Sequence, residues 1–531
     1  MSLRPLALVA GLAFAAPSIG RAADPSPAAI DSIFARYDRT NAPGCALGVY
    51  RDDRMVYARG YGMADLNHRI PITPQTVFYI ASTSKQFAAM SIALLAEDGT
   101  IALTDPVRKW FPELPPYADR LTIRHLVHHT SGIRDYLGLW GLSGRSFADE
   151  VPPEAALDLI VRQRALDFEP GSQYSYSNSG YFLLAELVQR ASGKSLRDFA
   201  AARIFGPLGM RDTQFHDRNT RIVERRAEGY QPAGPGAYEI VRTSFALVGD
   251  GGLLTTIDDL QRWDRNFYTN VLGRGGPALI RQVTTPAPEP LADGTPQRYA
   301  FGLMPGRYRG MEIVEHGGSF IGFRAQLLRV PDAHLSVAVL CNDYTAQPEQ
   351  LARRVVDRYL ADRLTAVPAT STGGATAGAM SVPTATLDRW VGRYEVLPGL
   401  VAEVTRRGDA LQLGVAGRQL ALVPTSDSTF DAATLDAPLV FARGATGPTL
   451  RTAALGMAAP VPALAPAPAL TPALAAAYAG RYTSEELDTW TVIQARGDTL
   501  VARTRWGPWL PLQPIAPDLF TVAGTRVAFT R

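Results

Sequence analysis

Residues 79–100 read YIASTSKQFAAMSIALLAEDGT, and within them the run from Phe87 to Ala96 is apolar on every face. A helix without a polar side is enclosed by other elements, so this stretch predicts a helix at the centre of a helical region. Lys85 opens it and is one of only three lysines in the chain, with Lys109 and Lys194; every other one of the 53 basic residues is arginine. A buried ammonium sheds its proton more easily, whereas a guanidinium stays charged in any protein setting. Lys85 is therefore the side chain that can become a base. Ser82, three residues earlier, shares its face and lies where free backbone N–H groups and the helix dipole favour negative charge. The pair has the form of a nucleophile beside its activator. The blander reading, a capping serine beside a surface lysine, fits poorly with so apolar a helix and so few lysines.

Two further stretches carry candidate chemistry. In FEPGSQYSYSNSGYFLL (168–184) a Pro-Gly turn leads through a polar aromatic segment into a helix. If Tyr176 to Asn178 is extended, their side chains point the same way and a phenol and an amide share one pocket. Equally, the tyrosines there could staple the helix start while Asn178 or Ser179 caps it. In EHGGSF (315–320) His316 ends an expected strand, and Gly317 and Gly318 clear its edge so that a peptide-like substrate could add as an extra strand. His125, His128 and His129 in HLVHHTSGIRDY invite a metal reading. No His-Glu-x-x-His or paired carboxylate completes a site, so neither a metal nor an organic cofactor is expected. There is no Gly-x-Ser-x-Gly of a nucleophile-elbow hydrolase.

Along the chain, residues 1–22 combine Arg4, an apolar run from Leu6 to Phe14 and small residues before Asp24, which reads as a cleaved secretory signal and predicts a secreted or periplasmic protein. The apolar run is too short for a membrane anchor, and no later segment is long and apolar enough to span a bilayer. Loss of Arg4 and Arg21 with the leader lowers the formal charge from +3 to about +1, which gives no reason to expect nucleic acid as a partner. Cys45 and Cys341 each sit in a strand-like segment; an exported protein allows them to pair or to stay as buried thiols, and the sequence leaves both open. Residues 25–365 open with the hairpin CALGVYRDDRMVYARGYG (45–62) and close with a meander, MEIVEHGG, FRAQLLRV and HLSVAVLCN. Helices between them stop or start at Gly99, Gly193 and Thr256. An α+β domain follows, one antiparallel sheet with helices on its faces.

After a Gly/Ala/Thr/Pro linker at 366–385 the chain becomes strand-like and repeats itself. Gly392, Gly408, Pro424, Phe430 and Arg443 of residues 386–445 return as Gly480, Gly497, Pro514, Phe520 and Arg531 of residues 471–531, with an Ala/Pro linker expected at 446–470. Each copy has room for about five short strands. Two small barrels, or one barrel closed from both halves, fit equally well.

Ser82-x-x-Lys85, Tyr176-x-Asn178 and His316-Gly317-Gly318, in this order, resemble the motifs of the penicillin-recognising serine hydrolases. Their nearest branch holds class C β-lactamases, D-alanyl-D-alanine carboxypeptidases, esterases and D-aminopeptidases. HHTSGI, IFGPLGMRDT and GDGGLLTTIDDL also look like segments of that family. The resemblance implies a β-lactamase-like sandwich with an all-β, barrel-like C-terminal region, and catalysis through an acyl-enzyme. Ser82, Lys85 and Tyr176 are then the expected catalytic residues; Asn178, His316, Gly317, Gly318 and Ser319 bind substrate, with a Ser319 N–H helping Ser82 hold the oxyanion.

GRYTSEELD in the last repeat is similar to the final domain of the D-aminopeptidases, which points to D-stereospecific peptidase activity on a small or short-peptide substrate. Class C β-lactamases usually carry Lys-Thr-Gly where His316-Gly317-Gly318 stands, so efficient β-lactam hydrolysis is not expected. A carboxylesterase or weak β-lactamase of the same family is one alternative, and a penicillin-binding sensor or non-catalytic interaction protein is another. Glu485, Glu486 and Asp488 are expected on a loop near the pocket, where they could hold a substrate ammonium. The oligomeric state is left open.

Overall fold

The computed structural model describes residues 24–365, 380–397, 399–415, 417–432, 438–445, 447–452, 457–522 and 525–530. The expected leader at 1–22 and most of the 366–385 linker lie outside them.

The strand Cys45–Arg51 has all seven residues buried, as does Leu335–Cys341. A strand covered on both faces does not alternate apolar and polar residues, and these two lie side by side in the middle of a six-stranded antiparallel sheet. Its order is Met304–Tyr308, Met311–Phe320, Phe323–Val330, Leu335–Cys341, Cys45–Arg51, Arg54–Tyr61. The opening hairpin and closing meander thus meet in one sheet, as their sequences predict. Cys45 faces Cys341 across the central pair and the two form a disulfide, which decides the question that the sequence left open. On one face, Leu47, Val49, Val337 and Val339 pack with Ile30 and Phe34 of the first helix (Pro27–Phe34) and Val355 and Val356 of helix Pro348–Tyr359. On the other, Ala46, Tyr50, Ala338 and Leu340 meet the large helical core around Phe87, Leu260 and Trp263. Gly48 is needed there, because a Cβ would lie 2.4 Å from Ile257 Cγ2.

Helix Lys85–Glu97 is buried from Lys85 through Leu95, as its lack of a polar face requires. Gly193 ends helix Asn178–Ser192 in the left-handed conformation, and Thr256 caps helix Ile257–Thr269 through the Asp259 N–H. Both are boundaries legible in sequence.

The C-terminal region forms two separate antiparallel sheets of eight and six sequential strands. The first nearly closes on itself through a bridge from Tyr394 to Ala463. Its last two strands, Gly447–Thr452 and Met457–Pro462, fall within 446–470, so the first part of the expected linker contributes strands to the barrel. Proline-rich composition misled the reading because edge positions of a sheet tolerate proline. The repeat is structural: Gly408 and Gly497 make equivalent left-handed turns at φ +63° and +65°, and Phe430 and Phe520 are both fully buried. Tyr394 and Tyr482 donate their hydroxyls to the carbonyls of Trp390 and Tyr478, four residues back in each copy. Arg531, the expected counterpart of Arg443, lies outside the described residues. Among the described residues no helix is long and apolar enough to cross a membrane.

Candidate active site

Ser82 lies in a 3-10 turn, Ala81–Ser84, that runs into helix Lys85–Glu97; it precedes the α-helix instead of occupying its first turn. Ala81 holds φ +47°, a conformation that costs a non-glycine residue free energy and persists only where the surroundings enforce it. The enforcement comes from strand Met311–Phe320 alongside. A Cβ on Gly318 would stand 2.1 Å from the Ile80 carbonyl oxygen and 3.0 Å from Thr83 Oγ1, so only glycine lets the turn seat against the strand.

Lys85 is fully buried, and its Nζ donates to Ser82 Oγ at 3.2 Å, Asn178 Oδ1 at 2.8 Å and the Asp250 carbonyl at 2.7 Å. Burial pushes the ammonium down to about 8, with the negative charges of Asp250 and Asp135 holding it from falling further. The neutral amine can keep its bonds to Asn178 and Asp250 while its lone pair faces Ser82. Tyr176 closes the group: its ring lies 4.7 Å from Nζ, and its hydroxyl is close enough to Ser82 for that side chain to act on its acidity. The phenol is raised above its ordinary value by burial, which the neighbouring Ser82 partly offsets, so it remains a proton donor at neutral pH.

Tyr176 and Asn178 face one point, as an extended segment predicts; Ser177 between them has φ −134° and ψ 119°. Asn178 does not cap its helix. Its amide nitrogen Nδ2 donates to Asp135 Oδ2 at 2.9 Å, which turns the oxygen toward Lys85. Asp135 meanwhile caps helix Tyr136–Leu142 by accepting from the Leu137 and Gly138 N–H groups.

His316 sits in mid-strand, since Met311–Phe320 continues four residues past it. Its Nδ1 donates to the Gly317 carbonyl at 2.7 Å and its Nε2 accepts from the Tyr299 hydroxyl at 2.8 Å. Burial, then the Lys85 charge, lowers it to about 4; it is a neutral ring with both nitrogens engaged. Beyond Glu315, where pairing with Met304 ends, the strand edge carrying Gly317, Gly318 and Ser319 has no partner strand on that side among the described residues, and Ser319 is exposed. An extended substrate can lie there.

The three clustered histidines separate. His125 caps its own helix through Thr122, His128 Nδ1 bonds the Tyr299 carbonyl, and His129 Nδ1 accepts from the Ser177 N–H. The His129 ring also packs, tilted, 4.3 Å from the Tyr176 ring, a support that sequence reasoning did not assign. Asp250 was missed as well. Burial raises its carboxyl to about 6 against the Lys85 charge, and it accepts from the Tyr136 hydroxyl at 2.8 Å. The helix-capping place of Asp135, before an apolar run, and the family-like segment GDGGLLTTIDDL that contains Asp250 were the traces left in the sequence.

The acidic loop of the last barrel reaches the catalytic domain, but its carboxylates are already matched. Glu485 pairs with Arg164, Glu486 with Arg134 at 3.5 Å, and Asp488 with Arg145 at 3.7 Å. The expectation of free acids awaiting an ammonium is corrected: the arginines neutralise them.

Comparison with known proteins agrees with this architecture. A D-aminopeptidase of Cereibacter sphaeroides is 31% identical over 495 residues, covering 91% of this chain and 88% of its own. Penicillin-binding protein 4* of Bacillus subtilis is 29% identical over 407 residues, 73% of this chain and 88% of its own. Among solved structures, the D-amino acid amidase of Ochrobactrum anthropi SV3, complexed with L-phenylalanine amide, superposes with a TM-score of 0.51 at 27% identity, over 63% of this chain and 97% of that one. The octameric penicillin-binding protein homologue from Pyrococcus abyssi shares the fold at a TM-score of 0.57 and 24% identity, over 79% of this chain and 97% of that one. Residues 30–361 match the Beta-lactamase family, and the chain is a member of that family, a β-lactamase-related serine hydrolase.

Proposed function

We propose that this protein is an exported D-aminopeptidase-like amidase, which cleaves short peptides and amides containing D-amino acids through a covalent intermediate on Ser82. The observation that carries the reading is the buried Lys85 amine, held by Asn178 and Asp250 with Ser82 Oγ 3.2 Å away. The similarity to D-aminopeptidases over nine-tenths of the chain supports the substrate class.

In the first half-reaction Ser82 Oγ bonds to the substrate carbonyl carbon as its proton passes to neutral Lys85. The N–H groups of Ser82 and Ser319 hold the oxyanion, a stabilisation commonly worth about 3 kcal/mol per donor. As the C–N bond breaks, Tyr176 protonates the departing amine and recovers a proton from Lys85. Water then attacks the acyl carbon, giving its proton back through the same pair, and Ser82 leaves. Asn178 orients the substrate amide. His316, with both nitrogens engaged, acts by fixing Tyr299 and the strand against which the substrate lies. No metal or organic cofactor takes part.

A fluorescent serine-directed probe and a panel of D-amino-acid amides, short esters and a chromogenic cephalosporin test the reading. Ser82→Ala is expected to remove labelling and lower amide turnover at least about a thousandfold. Labelling without turnover of any substrate class supports a penicillin-binding sensor instead. Export is checked by fractionating cells that express the full chain; a protein retained in the cytoplasm with its leader intact removes that part.

A further inference from the structure

The last barrel carries a second feature that the hydrolase chemistry does not use. Along its strands Ile493, Leu500, Ala502 and Leu512 point inward and are buried, so their neighbours in the two-residue alternation point out. Arg481 pairs across with Val492, and Val492 with Arg503, which sets two arginines about 10 Å apart on one outer face. Arg496 lies at one end of the same face and Arg505 just past the other, where its backbone N–H bonds the Trp490 carbonyl. All four are exposed, and none forms an ion pair or side-chain hydrogen bond with a described residue. Each instead lies on an indole: Arg481 on Trp490 at 4.7 Å, Arg496 and Arg503 on Trp509 at 5.3 and 5.0 Å, and Arg505 on Trp506 at 4.5 Å.

We infer that this face is a binding surface for an acidic polysaccharide, a sugar polymer bearing carboxylate or phosphate groups. A guanidinium placed over a ring engages the aromatic group through its face and keeps the forked donors at its edge available to planar oxyanions. Between them the exposed Thr483 and Gln494 offer neutral hydrogen-bonding groups to sugar hydroxyls, and the flanks of the indoles offer apolar surface to ring C–H groups. The acids of the barrel's 485–488 loop are paired with arginines of the catalytic domain, which leaves little to offset the positive charge of this face; Asp498 lies in the turn after Arg496. Single-stranded nucleic acid binds through open aromatic faces, whereas here guanidiniums lie over the rings.

The test uses the intact protein and polygalacturonate as probe, followed by Trp fluorescence, with single-stranded DNA and phosphatidylglycerol vesicles as comparison ligands. Wild-type protein is expected to bind the uronate polymer with an affinity that falls as salt rises through about 0.3 M, and to prefer it to the other two. Arg481→Ala/Arg503→Ala is expected to weaken binding about tenfold or more while hydrolysis of a small amide is unchanged; Arg496→Ala/Arg505→Ala provides the same reading should the first pair fold poorly. Absence of polysaccharide binding, binding by both variants as tight as that of the wild type, or tighter binding of DNA or vesicles would overturn the assignment.

Discussion

Lys85 is where burial is turned into reactivity. Its ammonium is lowered to about 8 and the Asp250 carboxyl raised to about 6, each mainly by burial. Between those two values both groups are charged, and the carboxylate holds the amine protonated. As pH rises through about 8 the amine is freed, so kcat/KM for a neutral ester should climb through that pH and then level. Asp250→Asn removes the charge that raises Lys85 while keeping an oxygen for Tyr136, and should move this limb to lower pH. An unmoved limb would mean that another group titrates. Lys85→Arg keeps the charge but cannot supply the base, so turnover should fall at least about a thousandfold at every pH; retention of a tenth of the activity would exclude Lys85 as base.

At the scale of elements, the site depends on a 3-10 turn pressed against a strand. Gly318→Ala places a methyl 2.1 Å from the Ile80 carbonyl oxygen, which is backbone and has no room to yield, whereas Gly317→Ala meets the movable tip of Gln326 at 2.8 Å. We expect Gly318→Ala to cost about 1–3 kcal/mol of stability and to lower kcat about a hundredfold by displacing Ser82. Gly317→Ala should do much less of both. Thermal melts beside steady-state kinetics distinguish the two, and equal effects would show that the close approach is unimportant. The helix and the glycine pair were legible in sequence, because an apolar period and missing side chains are local signals. The mid-strand position of His316 was not, since nothing local marks where a strand stops when its continuation is decided by pairing with Phe323–Val330.

Across the whole molecule, remote segments are tied back to the site. The Cys45–Cys341 bridge joins central strands 296 residues apart in sequence, and its replacement by alanines should lower stability by about 2–5 kcal/mol, read by denaturant unfolding. The last barrel acts at a distance too. Glu486 meets Arg134, whose neighbour Asp135 sets the Asn178 amide, and Thr489 donates to the Ser143 carbonyl after the helix that Asp135 caps. Glu486→Ala should therefore reduce turnover of amine-bearing amides and of small neutral esters by a similar factor. A loss confined to substrates with a free ammonium would restore direct recognition by the acidic loop.

Local chemistry written in the chain was enough to establish the central helix, the hairpin and meander, the repeat in the tail, and the pairing of Ser82 with Lys85, since periodicity, glycine placement and the rarity of lysine need no knowledge of distant residues; Tyr176 joined them only through the resemblance of its motif. What needed the folded molecule was every relation between segments far apart in sequence: the disulfide, the separation of the tail into two sheets, Asp135 and Asp250 beside the amine, and the arginines that neutralise the acidic loop. Those depend on which surfaces meet, and side chains carry no local mark of a partner that packing alone brings near.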